Sequence, residues 1–249
     1  MPLTHEYGLI GYPLEHSFSK RYFTEKFDRE GIAGHVYQLF PIPAIEELPG
    51  LLAAHPKLRG LNVTIPYKQA VLPFLDALDE NARAVGAVNT IRIRDGRLQG
   101  FNTDVYGFEM SLRRFLQTAA ASPAAALVLG TGGASRAVRF VLERLQISYL
   151  LVSRHAERGD LVYEALDRDL LSAHSLIINT TPLGMAPAVE THPDLPYQYL
   201  TAAHLLYDLV YNPEKTVFLA KGEKRGAVTM NGLEMLYLQA EKAWDIWNA

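Results

Sequence analysis

Cysteine is absent from the 249-residue chain, which removes disulfides, thiolate metal sites and a cysteine nucleophile together and suits a reducing compartment. Positive charge is not in excess either: 24 Lys and Arg stand against 27 Asp and Glu, a formal net charge of −3. The broad basic footprint that engages nucleic-acid phosphates is therefore missing, and no nucleic acid is expected as a partner. No apolar run reaches the roughly 20 residues of a membrane-spanning helix. The opening MPLTHEYGLIGYPLEHS also lacks a basic segment followed by a long apolar core. A cytoplasmic protein with no membrane partner is the expectation. What the chain does have is core material: 49% of its residues are hydrophobic and 20% charged, enough for one large or two modest cores.

Apolar runs alternate with segments of helical period, the pattern of an α/β protein with a largely parallel sheet, and the pattern occurs twice. In the first block the strand candidates are 7–12, 35–42 and 60–65, with helices expected around 18–30, 44–54 and 67–86. The stretch NTIRIRDGRLQGFN (89–102) alternates apolar and polar residues about Asp95-Gly96, which predicts a hairpin. After a helix at 105–116, the small residues and Pro123 of TAAASPAA read as a connection into a second block. Its strands are expected at 126–130, 148–154, 175–181 and 204–211. The final segment, 232–247, spaces Leu233, Leu236, Ala240, Ala243 and Trp247 along one face of a terminal helix.

The stretch GLNVTIPYKQAV (60–71) carries polar groups that a purely structural strand end does not need. Alternation puts Asn62 and Thr64 on one side and Val63 and Ile65 on the core side; Pro66 ends the run, and Lys68 projects from the next turn. A second unusual stretch is ALVLGTGGASRAVRFVL, where glycines follow a buried strand and open a helix. Gly130 and Gly132 suit a tight turn approached by a pyrophosphate, whose charge the free N–H groups of the helix start favour. Ser135 stands where a third glycine would complete G-x-G-x-x-G, so a glycine-rich turn of structural use stays open as the alternative. The next strand ends in Arg154, with Arg158 close behind and no acid at its tip. That favours the 2′-phosphate of NADP over the ribose diol of NAD; two arginines on a solvated loop are the plainer explanation.

Together these and other motifs resemble the shikimate dehydrogenase family. They run in that family's order through nearly the whole chain: GYPLEHSFS (11–19), NVTIPYK (62–68), GAVNT (86–90), GFNTDVYGF (100–108), GTGGAS (130–135), NTTPLGM (179–185), DLVYNPEKT (208–216) and NGLEMLYLQA (231–240). The resemblance implies two α/β domains: a substrate-binding domain with a mostly parallel sheet, from 1–103 plus 232–249, and a Rossmann-like NADP-binding domain from 104–231. It places the active site in a cleft between them. The implied reaction is the reversible NADPH-dependent reduction of 3-dehydroshikimate to shikimate in aromatic amino-acid biosynthesis.

On the same resemblance Lys68 is the proton-transfer residue and Asp104 its partner, the latter also holding a substrate hydroxyl. Ser17 and Ser19, with Tyr211 nearby, match positions that hold the substrate carboxylate; Asn62, Thr64, Asn89 and Gln239 match positions around the ring hydroxyls. Read singly, Lys68 is a first-turn helix lysine, Asp104 and Ser17 are N-caps, Asn89 a strand-edge residue and Gln239 a solvated helix residue. For the cofactor, NADP, the resemblance carries over the loop Gly130, Thr131, Gly132, Gly133 and Ala134, the segment from Ser153 through Arg154 to Arg158, and the backbone at Leu209 and Gly232. NTTPLGM would line the nicotinamide side, where Met185 packs on the cofactor or fills core. No metal is implied, and a monomer or homodimer is expected.

Three departures stand out. Lys20 replaces the proline of the family's HSxSP, Ser153-Arg154-His155 replaces Asn-Arg-Thr, and the chain is short. The alternatives are a quinate/shikimate dehydrogenase that also uses NAD, and a non-catalytic metabolite sensor of the same fold, against which the Lys68 and Asp104 pair argues.

Overall fold

The computed structural model describes residues 4–14 and 17–249; Glu15 and His16, within the GYPLEHSFS motif, lie outside the described residues. Two compact units are present, one running to Thr103 and including Ala240–Ala249, the other Asp104–Gln239. The division falls within the terminal helix, at Gln239/Ala240, whereas the sequence reading sets it at 231/232.

The first unit contains β1 (His5–Gly11), α1 (Phe18–Arg29), β2 (His35–Pro41), α2 (Leu48–Ala54), β3 (Leu58–Val63), α3 (Tyr67–Ala70), β4 (Ala77–Leu78), α4 (Glu80–Val85), β5 (Thr90–Arg94) and β6 (Arg97–Phe101). Its sheet has the order β2-β1-β3-β5-β6-β4. β1 runs parallel to β2 and β3, and the antiparallel pairs are β3 with β5 and β5 with β6. The β5–β6 hairpin turns at Asp95 and Gly96, both with positive φ (52° and 74°), as a two-residue I′ turn requires. One apolar cluster gathers Ile10, Leu48, Leu61, Val63, Val71 and Ile91; another gathers Tyr7, Phe23, Tyr37, Ala240, Ala243 and Trp247. Strand alternation on β1 sends Tyr7 and Ile10 to opposite faces.

Two expectations fail here. The helix predicted over 67–86 is broken into α3, a 3₁₀ turn at Leu72–Phe74, the short strand β4 and α4. Pro73 cannot continue the α-helical bonding. The Asp76 carboxylate then accepts from Leu98 N on β6 (2.7 Å), and Asp79 caps α4 by accepting from Ala82 N (2.8 Å). Ile65 does not serve the core: β3 ends at Val63, a turn from Thr64 to Tyr67 follows, and Ile65 is 75% exposed while Val63 is 2% exposed.

The second unit contains most of α5 (Thr103–Thr118), then β7 (Ala125–Leu129), α6 (Gly133–Arg144), β8 (Ser148–Ser153), β9 (Leu161–Val162), α7 (Arg168–Ala173), β10 (Leu176–Asn179), β11 (Leu205–Asp208), α8 (Val217–Glu223), β12 (Val228–Met230) and the first part of α9 (Leu233–Asn248). Its six strands, ordered β12-β11-β10-β7-β8-β9, pair in parallel throughout. β7 is buried on both faces, which explains its unbroken apolar run. The order reverses at β7, flanked by β8 on one side and β10 on the other, so the loop after β7 occupies the topological switch point where such sheets bind ligands.

Candidate active site

In the first unit two of the polar residues singled out from the sequence, Asn62 and Asn89, meet at the end of β3. Asn62 is 6% exposed, and its Oδ1 accepts from the Tyr37 hydroxyl at 2.7 Å. Its Nδ2 faces the Asn89 carbonyl (3.4 Å) and Thr90 Oγ1 (3.3 Å). Asn89 stands at a strand edge, directly before β5, but buried: it is 3% exposed, its Oδ1 accepts from Thr103 N (2.7 Å), and its Nδ2 donates to Thr103 Oγ1 (3.0 Å). Burial pushes the Tyr37 hydroxyl up, and the nearby Ser19 hydroxyl works against that shift. One buried phenol on β2 thus ties that strand to the end of β3.

Ser17 is the N-cap of α1, accepting from Lys20 N at 3.3 Å. A proline at that position has no N–H to donate, so Lys20 supplies a capping bond that the family's usual residue cannot. Thr64 N donates to the Ile10 carbonyl (3.0 Å), holding Thr64 beside the end of β1. Lys68 lies on α3, where its carbonyl accepts from Val88 N (2.7 Å). The Lys68 backbone is thereby fixed one residue from Asn89.

In the second unit Asp104 sits in the first turn of α5, not at its cap, since the helix begins at Thr103. A carboxylate there complements the helix dipole. One turn on, a side chain at Gly107 would meet the Met235 carbonyl and Gln239 Cβ (2.6 and 3.1 Å from its Cβ position). That close approach brings the start of α5, with Asp104, to the stretch of α9 that carries Gln239. Gln239 Nε2 donates to the Leu236 carbonyl (2.9 Å). Tyr211 follows β11, two residues beyond Leu209.

The nucleotide loop fits its implied group. Gly130 has φ +104°, and a Cβ there would lie 2.8 Å from Thr181 Cγ2, so only glycine serves. Gly132 caps α6 without a side-chain bond. The positions above Gly132 and Gly133 are open, with nothing within 4 Å of where a Cβ would stand. An open backbone cradle at the N-terminus of a 12-residue helix is suited to a pyrophosphate. At the tip of β8, Ser153 is buried and accepts from His155 N (3.1 Å), while Arg154 and Arg158 are exposed. The nearest following acids are engaged: Glu157 lies 3.9 Å from Arg158, and Asp160 accepts from Leu151 N (2.8 Å). The strand tip thus offers cations and a hydroxyl, the residue set for a 2′-phosphate.

Leu209 and Gly232 adjoin: Gly232 N donates to the Val210 carbonyl (3.1 Å), and a Cβ on Gly232 would lie 2.1 Å from the Leu209 carbonyl oxygen. Met185 is 46% exposed, which removes the core-filling alternative. Among the described residues no group of three or more His, Asp or Glu could hold a metal ion, and no helix is long and apolar enough to cross a membrane. Three residues that sequence reasoning passed over belong to these networks: Tyr37, Thr103 and Asp208. Asp208 is fully buried at the end of β11, and burial raises its carboxyl to about 6 despite three hydrogen bonds.

A doubly wound sheet with an open glycine cradle at its switch point, in a chain that also holds a buried array of hydroxyls and amides beside a lysine, defines a nucleotide-dependent oxidoreductase of the α/β class. Residues 9–91 match the family model described as the shikimate dehydrogenase substrate binding domain. A shikimate dehydrogenase (NADP(+)) of Oleidesulfovibrio alaskensis is 40% identical, over 97% of this chain and 88% of that protein. The structure of shikimate 5-dehydrogenase from Thermus thermophilus in complex with NADP(H) and shikimate superposes with a TM-score of 0.82 at 32% identity, over 98% of this chain and 93% of that one. Quinate dehydrogenase from Corynebacterium glutamicum in complex with NAD gives 0.87 at 29% identity, over 98% and 93% of the two chains. The chain belongs to the shikimate dehydrogenase family.

Proposed function

We propose that the chain catalyses the reversible NADPH-dependent reduction of 3-dehydroshikimate to shikimate. The observation that carries the reading is the buried network of Tyr37, Asn62, Asn89 and Thr103, with the Lys68 carbonyl bonded to the residue before Asn89. A site that strips water from a polyhydroxy acid must replace the hydroxyls' hydrogen bonds, and these preset donors and acceptors do so. Ser17 and Ser19, with Tyr211, hold the substrate carboxylate; Asn62, Thr64, Asn89, Asp104 and Gln239 hold the ring hydroxyls.

NADPH, when bound, supplies the hydride to the carbonyl carbon. The Lys68 ammonium donates a hydrogen bond to the carbonyl oxygen and delivers its proton as negative charge develops there; in the oxidative direction the neutral amine takes the proton of the alcohol. Asp104 orients the lysine and accepts from a substrate hydroxyl. The 130–134 loop holds the pyrophosphate, Ser153, Arg154 and Arg158 the 2′-phosphate, and Leu209 and Gly232 present backbone to the nicotinamide end. The partner is thus a small molecule, and no step needs a metal.

The high structural likeness to a quinate dehydrogenase with NAD makes quinate and NAD the necessary comparison. Steady-state oxidation of shikimate and quinate, each with NADP and NAD, is expected to be fastest for shikimate with NADP. Arg154→Ala is expected to raise KM for NADP more than for NAD. Turnover with none of the four pairs overturns the enzyme reading, and efficient quinate oxidation with NAD replaces it by the broader specificity.

A further inference from the structure

Asp208 is 0% exposed and carries a carboxyl that burial holds well above its ordinary range. Both of its oxygens are hydrogen-bonded. Oδ1 accepts from Asn179 Nδ2 (2.9 Å) and Val210 N (3.0 Å), and Oδ2 accepts from Thr216 Oγ1 (2.6 Å). Because an ionised carboxylate only accepts, it dictates which way the Asn179 amide faces: the NH₂ turns to Asp208 and the oxygen turns away. That oxygen then accepts from Thr181 N (3.0 Å) and Thr181 Oγ1 (2.6 Å), and Thr181 Oγ1 accepts from Leu183 N (3.3 Å). Thr181 is the residue whose methyl group a side chain at Gly130 would strike. From the same carboxylate, the bond to Val210 N sets the turn after β11, and the Val210 carbonyl receives Gly232 N (3.1 Å).

We propose that Asp208 is a positioning residue for the nicotinamide half of the cofactor site, setting the Asn179 amide and, through it, the 181–184 loop, and setting the Leu209–Gly232 contact through Val210. The inference rests on the reading that these segments receive the nicotinamide end. Asp208 touches neither reactant; it acts through Asn179 and Val210. The Thr216 bond is of a different kind. Thr216 caps α8, accepting from Leu219 N (3.4 Å), so its hydroxyl ties Asp208 to helix stability, while its Cβ and methyl group back Gly184 in the 181–184 loop.

Calorimetric titration with NADP, and with adenosine 2′,5′-bisphosphate, which carries the adenosine phosphates but no nicotinamide, separates positioning from a general structural role. Asp208→Asn keeps the shape but presents an amide donor in place of one acceptor. It is expected to weaken NADP about tenfold, the loss of one charge-assisted hydrogen bond, and to change bisphosphate binding by less than about twofold. Thr181→Val, at the far end of the network, is expected to reproduce that selective loss. Thr216→Val, which removes the hydroxyl but keeps the carbon atoms that back Gly184, is expected to lower the melting temperature and keep the ratio of the two affinities. Equal weakening of both ligands in Asp208→Asn and Thr181→Val, or unchanged NADP binding in both, overturns the proposal; if Asp208→Asn does not fold, Thr181→Val decides it on the same criterion. Wild-type protein that binds NADP yet oxidises no shikimate overturns the activity reading and leaves this comparison of ligands standing.

Discussion

Lys68 stands on a four-residue helix whose backbone is pinned by Val88 N at 2.7 Å, so its side chain can be removed with little change to the surrounding amides. Lys68→Ala is therefore expected to lower kcat by about a hundred- to ten-thousandfold, the usual worth of a positioned acid or base, with KM for shikimate much less changed. A near-normal kcat in that variant takes the proton-transfer role from Lys68. Asp208 makes a prediction of opposite character, about stability. Burial raises its carboxyl from 3.8 to about 6, so between these pH values the native state holds a proton that the unfolded chain has released. Stability contributed by this group falls as pH rises through that window, and the cost is fully present above about pH 6. Asn does not titrate, so the stability of Asp208→Asn relative to wild type is expected to rise by up to about 3 kcal/mol from pH 4 to pH 7 and then level off. Urea denaturation across that range measures it, and a pH-independent difference shows that the carboxyl does not titrate there.

At the scale of elements, the terminal helix α9 is held by small contacts with little tolerance. Trp247 lies over Gly60, its Nε1 donates to the Ile91 carbonyl (3.0 Å), and a Cβ on Gly60 would stand 2.2 Å from that nitrogen. Gly60→Ala is expected to cost about 1–3 kcal/mol by overpacking, read as a lower urea midpoint with an unchanged slope; an unchanged midpoint would show that α9 shifts without penalty. This contact shows which elements sequence reveals. The hairpin at Asp95-Gly96 and the glycine loop after β7 were legible because their signals are local: turn residues that need positive φ, and an apolar run meeting a helix start. The break within 67–86 was not, because Asp76 is recruited by Leu98 N, 22 residues away. Tyr37 and Asp208 escaped for the same reason, since their partners Asn62 and Asn179 lie 25 and 29 residues off. Ile65 departs from strand alternation because the chain leaves the sheet after Val63, a change of direction that the apolar run does not mark.

For the whole molecule, the proposed reaction divides its ligand contacts between two separately cored units, and that division is measurable. Residues 17–19 and 62–68 belong to the first unit, whereas the 130–134 loop, 153–158, Leu209 and Gly232 belong to the second. Each ligand stabilises the native amides it touches, by about 2.7 kcal/mol at a hundred times its dissociation constant. Local openings, which govern the exchange of loop amides, respond first. Hydrogen exchange with NADP alone is therefore expected to slow in the peptides covering 130–136, 153–158 and 209–232, with 62–70 unaffected. Shikimate alone is expected to slow 17–22 and 62–70, and in the second unit only the peptides carrying Asp104, Tyr211 and Gln239. If NADP protected 62–70 as strongly as 130–136, the assignment of cofactor contacts to the second unit's glycine loop and strand tips would have to be abandoned, whatever the turnover assay gave.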